Sequence, residues 1–219
     1  MESTSIIYYS SCRESLAFER KIQENLLKVC GDIPIISVTQ KPMDLGTNIC
    51  VGDVGASGFN CFRQILIACE AATTKFVISA ESDTLYPPDY FTFVPPRDDV
   101  CYRNSNLYVM PDLRDYYFKK SEGATHSQIV GREFYIKRLK KLFEGAPQWS
   151  VEEKNFPKER HRKEDIFDKI EHWETENPVI QIKTHKGMRY FTRSDRTPIY
   201  TLPYWGDGKP LRNYYIKNK

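Results

Sequence analysis

The sequence predicts an α/β fold, a mostly parallel sheet doubly wound with helices on both faces. Three observations carry this. The first forty residues read strand, helix, strand, which is the order of a right-handed parallel crossover. A second helix and a third strand follow directly. The third strand stops at two acids, Glu81-Ser82-Asp83, and in such sheets ligands sit at the carboxyl ends of the strands.

The elements follow in order. Residues 5–10 (SIIYYS) are β-branched and aromatic, as a strand requires. Residues 14–29 place Leu16, Ile22, Leu26, Leu27 and Val29 at helical spacing between charges, and Gly31 supplies the stop. Residues 34–39 (PIISVT) form the second strand, residues 40–58 a glycine-punctuated loop, residues 59–73 the second helix and residues 76–80 the third strand. The second half is less regular. Residues 102–110 hold a strand, residues 130–143 a basic helix, residues 145–162 a loop, residues 164–174 a short helix and residues 179–184 a strand ending at His185. The tail is dense in aromatic residues, Pro and Gly and is expected to wrap the body.

With 219 residues the chain fills one domain, read as a first half (1–100), a second half (101–190) and a C-terminal extension (191–219). No stretch approaches the ~20 apolar residues of a membrane-spanning helix. The N-terminus lacks the features of a signal peptide. Six scattered cysteines without a CxxC pair read as free thiols of a reducing cytosol, so the expected location is cytoplasmic. The net charge of +3 is split: residues 1–118 carry 10 basic and 15 acidic side chains, residues 119–219 carry 22 and 14. The basic half favours a polyanionic partner.

Three features stand out for chemistry. Glu81-Ser82-Asp83 presents acids at i and i+2, on one side of an extended chain, as a hard divalent cation needs. A strand ending in a polar turn explains the same residues equally well. Glu164-Asp165 opens the late helix, and His185 ends the late strand. The spacings are 82 residues from Asp83 to Asp165 and 20 from Asp165 to His185.

This ordered set resembles the GT-A nucleotide-sugar glycosyltransferases, closest to the inverting enzymes of family 2. There a nucleotide-binding half ends in a DxD-type motif. A later ED pair supplies the general base, and a His often completes the metal site. The segment ATHSQIVGREFYIKRLKKLFEG also resembles that family's acceptor-side strand and helix. The resemblance spans roughly residues 3–190 and departs at Glu81, which replaces the first Asp. It implies Mn²⁺ or Mg²⁺ on Asp83 and His185, and Asp165 as the base that deprotonates the acceptor hydroxyl. Glu81 would take a ribose hydroxyl or a metal-bound water, beside Ser82. Tyr8, Ser10, Arg13, Gln40 and Arg63 are the candidates for holding the nucleotide, a UDP-sugar being favoured. Arg189 and Arg193 are further phosphate candidates, and Trp149, Tyr204 and Trp205 are candidates for stacking.

Family acceptors include sugars, lipids, proteins and, in some phage enzymes, hydroxymethylated pyrimidines of DNA. A basic, aromatic-rich second half leans toward 5-hydroxymethyl pyrimidine in DNA, with a glycan acceptor next. Outside the family, a non-catalytic nucleic-acid binder and a nucleotidyltransferase stay open. The loop SSCRES lacks the glycine- and lysine-rich character that the latter favours.

Overall fold

A computed structural model describes residues 4–120, 123–152, 166–187 and 197–217. A seven-stranded sheet organises it. The first strand, β1 (Thr4–Ser10), pairs in parallel with β2 (Ile35–Thr39) on one side and β4 (Phe76–Glu81) on the other. Beyond β2 lies β3 (Thr47–Cys50), and beyond β4 lie β9 (Gln128–Gly131), β6 (Cys101–Asn104) and β10 (Ile170–Trp173). Only β9 runs against its neighbours among these seven. The connection from β1 leads to β2 on one side and, after a second helix, to β4 on the other. The crevice between β1 and β4 is therefore the switch point at which doubly wound sheets bind ligands.

Strand alternation sorts the core. Ile7, Tyr9, Ile36, Val38 and Val77 pack against α2 (Gly58–Ala71) and α3 (Arg132–Leu142). Ile6, Tyr8, Ile78 and Ala80 face the other way, where Leu26 of α1 (Leu16–Val29) packs. α1 starts at Ser15, whose hydroxyl accepts the Phe18 N–H, and stops where Gly31 takes φ +60°.

A second, four-stranded sheet sits at the carboxyl end of the first. Its order is β5 (Thr84–Leu85), β11 (Val179–Lys183), β7 (Leu107–Pro111), β8 (Phe118–Lys119). It packs with α1 and with the tail, whose Leu202, Tyr215 and Ile216 bury into the same cluster. The tail forms the hairpin β12 (Thr201–Leu202) and β13 (Gly206–Asp207), then α4 (Gly208–Arg212) and a last π-helical turn.

The doubly wound reading and the packed tail hold, with four corrections in the elements. The 40–58 loop contains β3, an edge strand whose partly exposed residues carry no apolar alternation. The strand in residues 102–110 is two strands in different sheets, broken at Ser105–Asn106. Val130 and Gly131 belong to β9 rather than to the following helix. A Cβ on Gly131 would lie 1.9 Å from the Asp98 carbonyl oxygen, so this close approach demands glycine. The helix expected over residues 164–174 is, in its described part, strand β10. Ile170 joins the α3 side of the core and Trp173 the opposite side, so the apolar residues serve two faces instead of one. All six cysteines are free. Among the described residues no helix is long and apolar enough to cross a membrane.

Candidate active site

A cavity opens at the switch point. Its walls are the turn after β1 (Ser10, Ser11, Arg13, Glu14), the 55–57 turn with the first turns of α2, and Glu81-Ser82-Asp83 after β4. Gln40 from β2 and Lys186-Gly187 beyond β11 complete it.

The scaffold of this cavity is built from buried amides. Gln64 of α2 is 2% exposed and donates to the Ser10 and Val38 carbonyls at 2.9 and 2.7 Å, tying together the ends of β1 and β2. Asn60, fully buried, donates to the carbonyls of Val54 and Gly55, and its Oδ1 accepts the Ser150 N–H at 2.8 Å. Gln40 Nε2 donates to the same Gly55 carbonyl at 2.8 Å. Gly55 itself has φ +79°, and a Cβ there would meet Val151 Cγ1 at 2.5 Å. These bonds hold the 55–57 turn so that α2, capped by Ser57, points its N-terminal end into the cavity. Its first turn carries no acidic residue, which leaves the positive end of the helix dipole available to an anion.

The acids are held from two directions. Glu81 ends β4 directly opposite Tyr9 in the parallel register, and the Tyr9 hydroxyl donates to the Thr125 carbonyl at 3.4 Å. Burial, and then repulsion from Asp83, pushes the Glu81 carboxyl up to about 7; Lys183, Tyr9 and Lys120 act in the opposite sense. The strand does not run on to Asp83 as the i, i+2 reading expects. Ser82 and Asp83 turn into β5, so the two acids reach one cavity through a turn. Gln181 Nε2 donates to both Asp83 oxygens, at 3.3 and 3.2 Å, and the Asp83 carbonyl accepts the Ile182 N–H at 2.7 Å.

Six of the candidates from the sequence meet here: Ser10, Arg13, Gln40, Glu81, Ser82 and Asp83. Tyr8 does not. It points to the other face of β1, is fully buried and donates its hydroxyl to Glu19 at 3.0 Å. Its neighbour Tyr9 lines the cavity instead, one residue of parity away. Arg63 is also elsewhere. Its guanidinium lies 3.8 Å from the centroid of the Phe143 ring and donates to the Pro147 carbonyl at 2.7 Å. That makes it a packing residue of α2. His185 Nδ1 lies 3.0 Å from Asp112 Oδ2, in a ring that is 61% exposed, while Lys186 and Gly187 beside it line the cavity. Trp205 donates to the Pro178 carbonyl at 2.6 Å, and Tyr204 is half-exposed beside it. Trp149 is part-buried. Glu164, Asp165, Arg189 and Arg193 lie outside the described residues.

The sequence reading missed Tyr9, Glu14, Ser57, Asn60, Gln64 and Lys186. Tyr9 differs from Tyr8 by strand parity, which the sequence alone does not assign to a face, and an N-cap serine before an apolar helix was the signal for Ser57. The roles of Gln64 and Asn60 are tertiary and leave no local trace. Glu14 accepts a hydrogen bond from the Thr184 hydroxyl, which joins the β1 turn to the end of β11.

Among the described residues no three His, Cys, Asp or Glu side chains converge as a metal cluster. The donor set at the cavity is Asp83 with Glu81, both oxygen ligands. That set fits a hard divalent cation of the kind bound by one or two carboxylates with phosphate oxygens completing its shell.

No family model and no curated protein matches this sequence. Solved structures do match. The glycosyltransferase GlyE of Streptococcus pneumoniae TIGR4 aligns with a TM-score of 0.51 and 9% identity, over 79% of this chain and 45% of its own. This chain thus spans under half of GlyE. The inositol-1-phosphate CTP transferase of T. maritima aligns at 0.50 and 9% identity, over 84% of this chain and 91% of its own. A glycosyltransferase involved in the glycosylation of the major capsid of PBCV-1 aligns at 0.46 and 14% identity, over 84% and 95%. At such identities the likeness concerns the fold, which is the GT-A-like α/β fold.

Proposed function

We propose that this protein is a glycosyltransferase that moves a sugar from a nucleoside-diphosphate sugar, a UDP-sugar being favoured, to a hydroxyl acceptor. One observation carries the reading. Two acids at the carboxyl end of β4 share the switch-point cavity with the N-terminal end of α2 and with the cations Arg13 and Lys186. This is what a diphosphate with a leaving-group charge requires. The likeness to GlyE agrees with it.

In this reading the nucleoside lies across the ends of β1 and β2, where Gln40 and Gln64 fix the walls. The diphosphate lies between the 55–57 turn, Arg13 and Lys186. Asp83, oriented by Gln181, would hold Mn²⁺ or Mg²⁺. The bound cation would supply Lewis-acid neutralisation of the departing diphosphate. Glu81 faces a ribose hydroxyl or a water, its proton held partly in place by burial. Asp165 is assigned as the base that takes the acceptor's proton as its oxygen attacks the anomeric carbon from the opposite side, which inverts the stereochemistry. The resemblance to the inverting family supports this role. His185, held through Nδ1 by Asp112, would have its Nε2 to offer a cation.

The acceptor we favour is 5-hydroxymethyl pyrimidine in DNA, for the charge of the second half; a soluble glycan is the alternative. Nucleotidyl transfer is the second reading, since the T. maritima enzyme shares the fold. The deciding experiment incubates the protein with a panel of nucleotide-sugars, Mn²⁺ and hydroxymethylated DNA. Released UDP and a hexose mass added to a nucleoside support the proposal. Pyrophosphate released in a parallel incubation with a nucleoside triphosphate and a sugar phosphate would select nucleotidyl transfer, and UDP release without any mass added to DNA would remove the DNA acceptor.

A further inference from the structure

One acid of the donor cavity is unassigned. Among the described residues the charged side chains lining it are Arg13, Glu14, Glu81, Asp83 and Lys186, three acids against two cations. Glu81 and Asp83 have roles in the proposed reaction; Glu14 has none. It stands beside Arg13 on the turn after β1, where a bare carboxylate would repel the diphosphate that Arg13 attracts.

Its hydrogen bonds give it a different task. Oε1 of Glu14 accepts the Thr184 hydroxyl, and Oε2 is closed off from solvent. Thr184, 3% exposed, follows directly on β11. Its Oγ1 in turn accepts the backbone N–H of Lys186 and of Gly187, each at 3.2 Å, and its carbonyl accepts the Gly187 N–H at 3.3 Å. A hydroxyl has one hydrogen and two lone pairs. Glu14 takes the hydrogen, which turns both lone pairs toward the two amides. One buried hydroxyl therefore links the carboxylate to the turn that carries Lys186.

Both ends of this link are anchored. The β1 turn is tight: Cys12 adopts φ +53°, uncommon outside glycine, and its N–H donates to Ser10 Oγ at 2.9 Å. Ser15 then caps α1, so Glu14 sits between two fixed points. On the other side the Lys183 carbonyl accepts the Asp112 N–H at 2.9 Å, which holds the end of β11 to the end of β7. Glu14 and Thr184 are 170 positions apart in sequence. Their bond joins the turn bearing Arg13 to the turn bearing Lys186. Both cations are exposed, on long flexible stems, so the link sets the backbone from which each one reaches.

We propose that Glu14 is a positioning residue of the donor site: by fixing the Thr184 hydroxyl it holds the Lys186-Gly187 turn at a set spacing from Arg13, so that the two cations meet one diphosphate. This deepens the donor reading given above and rests on it. The test is calorimetry of UDP, and of uridine by displacement, at fixed Mn²⁺. Glu14→Ala and Thr184→Val should each weaken UDP roughly 10- to 100-fold, the range of one charge-assisted contact, and leave uridine affinity unchanged. Glu14→Gln keeps an acceptor for Thr184 and Thr184→Ser keeps the hydroxyl, so both should hold UDP affinity within roughly 5-fold. In a Lys186→Ala background, Glu14→Ala should cost nothing further. Additive losses, a parallel loss of uridine, or a Gln variant as weak as the Ala variant would overturn the inference. Residue-resolved amide exchange reads the link without a ligand. Lys186 and Gly187 should exchange faster in Glu14→Ala, and unchanged exchange also overturns it. UDP that fails to bind the unmodified protein defeats the donor reading itself, and the exchange difference then still decides whether Glu14 holds the turn.

Discussion

Replacing Glu81 by Gln isolates what it costs to keep an acid in the candidate site. The folded protein raises this carboxyl from an ordinary 4.5 to about 7, first by burial and next by Asp83. At about 1.4 kcal/mol per pH unit, the rise corresponds to at most ~3 kcal/mol. Partial solvent access reduces this to ~1–3 kcal/mol. The sign follows from the direction. A carboxyl with a raised folded pKa binds its proton more tightly when folded. Its stabilising contribution is complete below about pH 4.5 and is lost as pH rises through about 7. Gln cannot titrate, so urea unfolding in the presence of a chelator should show the variant gaining ~1–3 kcal/mol on the unmodified protein between about pH 5 and 8.5. A difference constant across that range would refute the burial argument.

Other outcomes are expected. Asp165→Asn should keep UDP affinity while turnover falls by ~10²–10⁴-fold; near-normal turnover would remove Asp165 as the base. Gln64→Ala strips the Val38 and Ser10 carbonyls of a buried donor. It should cost ~2–4 kcal/mol by chemical denaturation, a melting decrease of about 4–16 °C at this chain length. Arg63→Ala should lower stability by ~1–2 kcal/mol through the lost Phe143 contact and leave UDP affinity unchanged in calorimetry; a large loss of affinity would return Arg63 to the donor site. Gly131→Ala should destabilise by more than ~2 kcal/mol, since the added carbon collides with backbone at Asp98.

How much of this was legible depended on whether the signal was local. β1, α1, β2, α2 and β4 carry strong periodicity and clear caps, and the order of those elements fixes where ligands bind. Glu81 and Asp83 were visible because they stand at the carboxyl end of a strand in a doubly wound half, where ligands bind. Tyr8 was chosen over Tyr9 because both are aromatic at the end of one strand. Their difference is parity, which only the packing of α1 and α2 on opposite faces decides. β3 and β10 were missed because an edge strand need not alternate and because Ile170 and Trp173 serve different faces. Gln64 and Asn60 look like ordinary polar residues of an amphipathic helix. Their importance lies in which carbonyls they meet, and those carbonyls belong to other elements.

The grip of Gln181 on Asp83 spans 98 positions of sequence. Ribosomal synthesis delivers the acid long before it delivers the amide. Until β11 has emerged and slotted between β5 and β7, Asp83 lacks its Gln181 partner. An N-terminal fragment ending before β11 should therefore retain the Gln64 and Asn60 bracing of the cavity wall yet lack the Gln181 hold on Asp83. The strand that completes the acid also carries Lys183, so both residues arrive in the same folding step. Long-range contacts of this kind slow folding; here they also time it, postponing the fixed Asp83 carboxylate until β11 is in place.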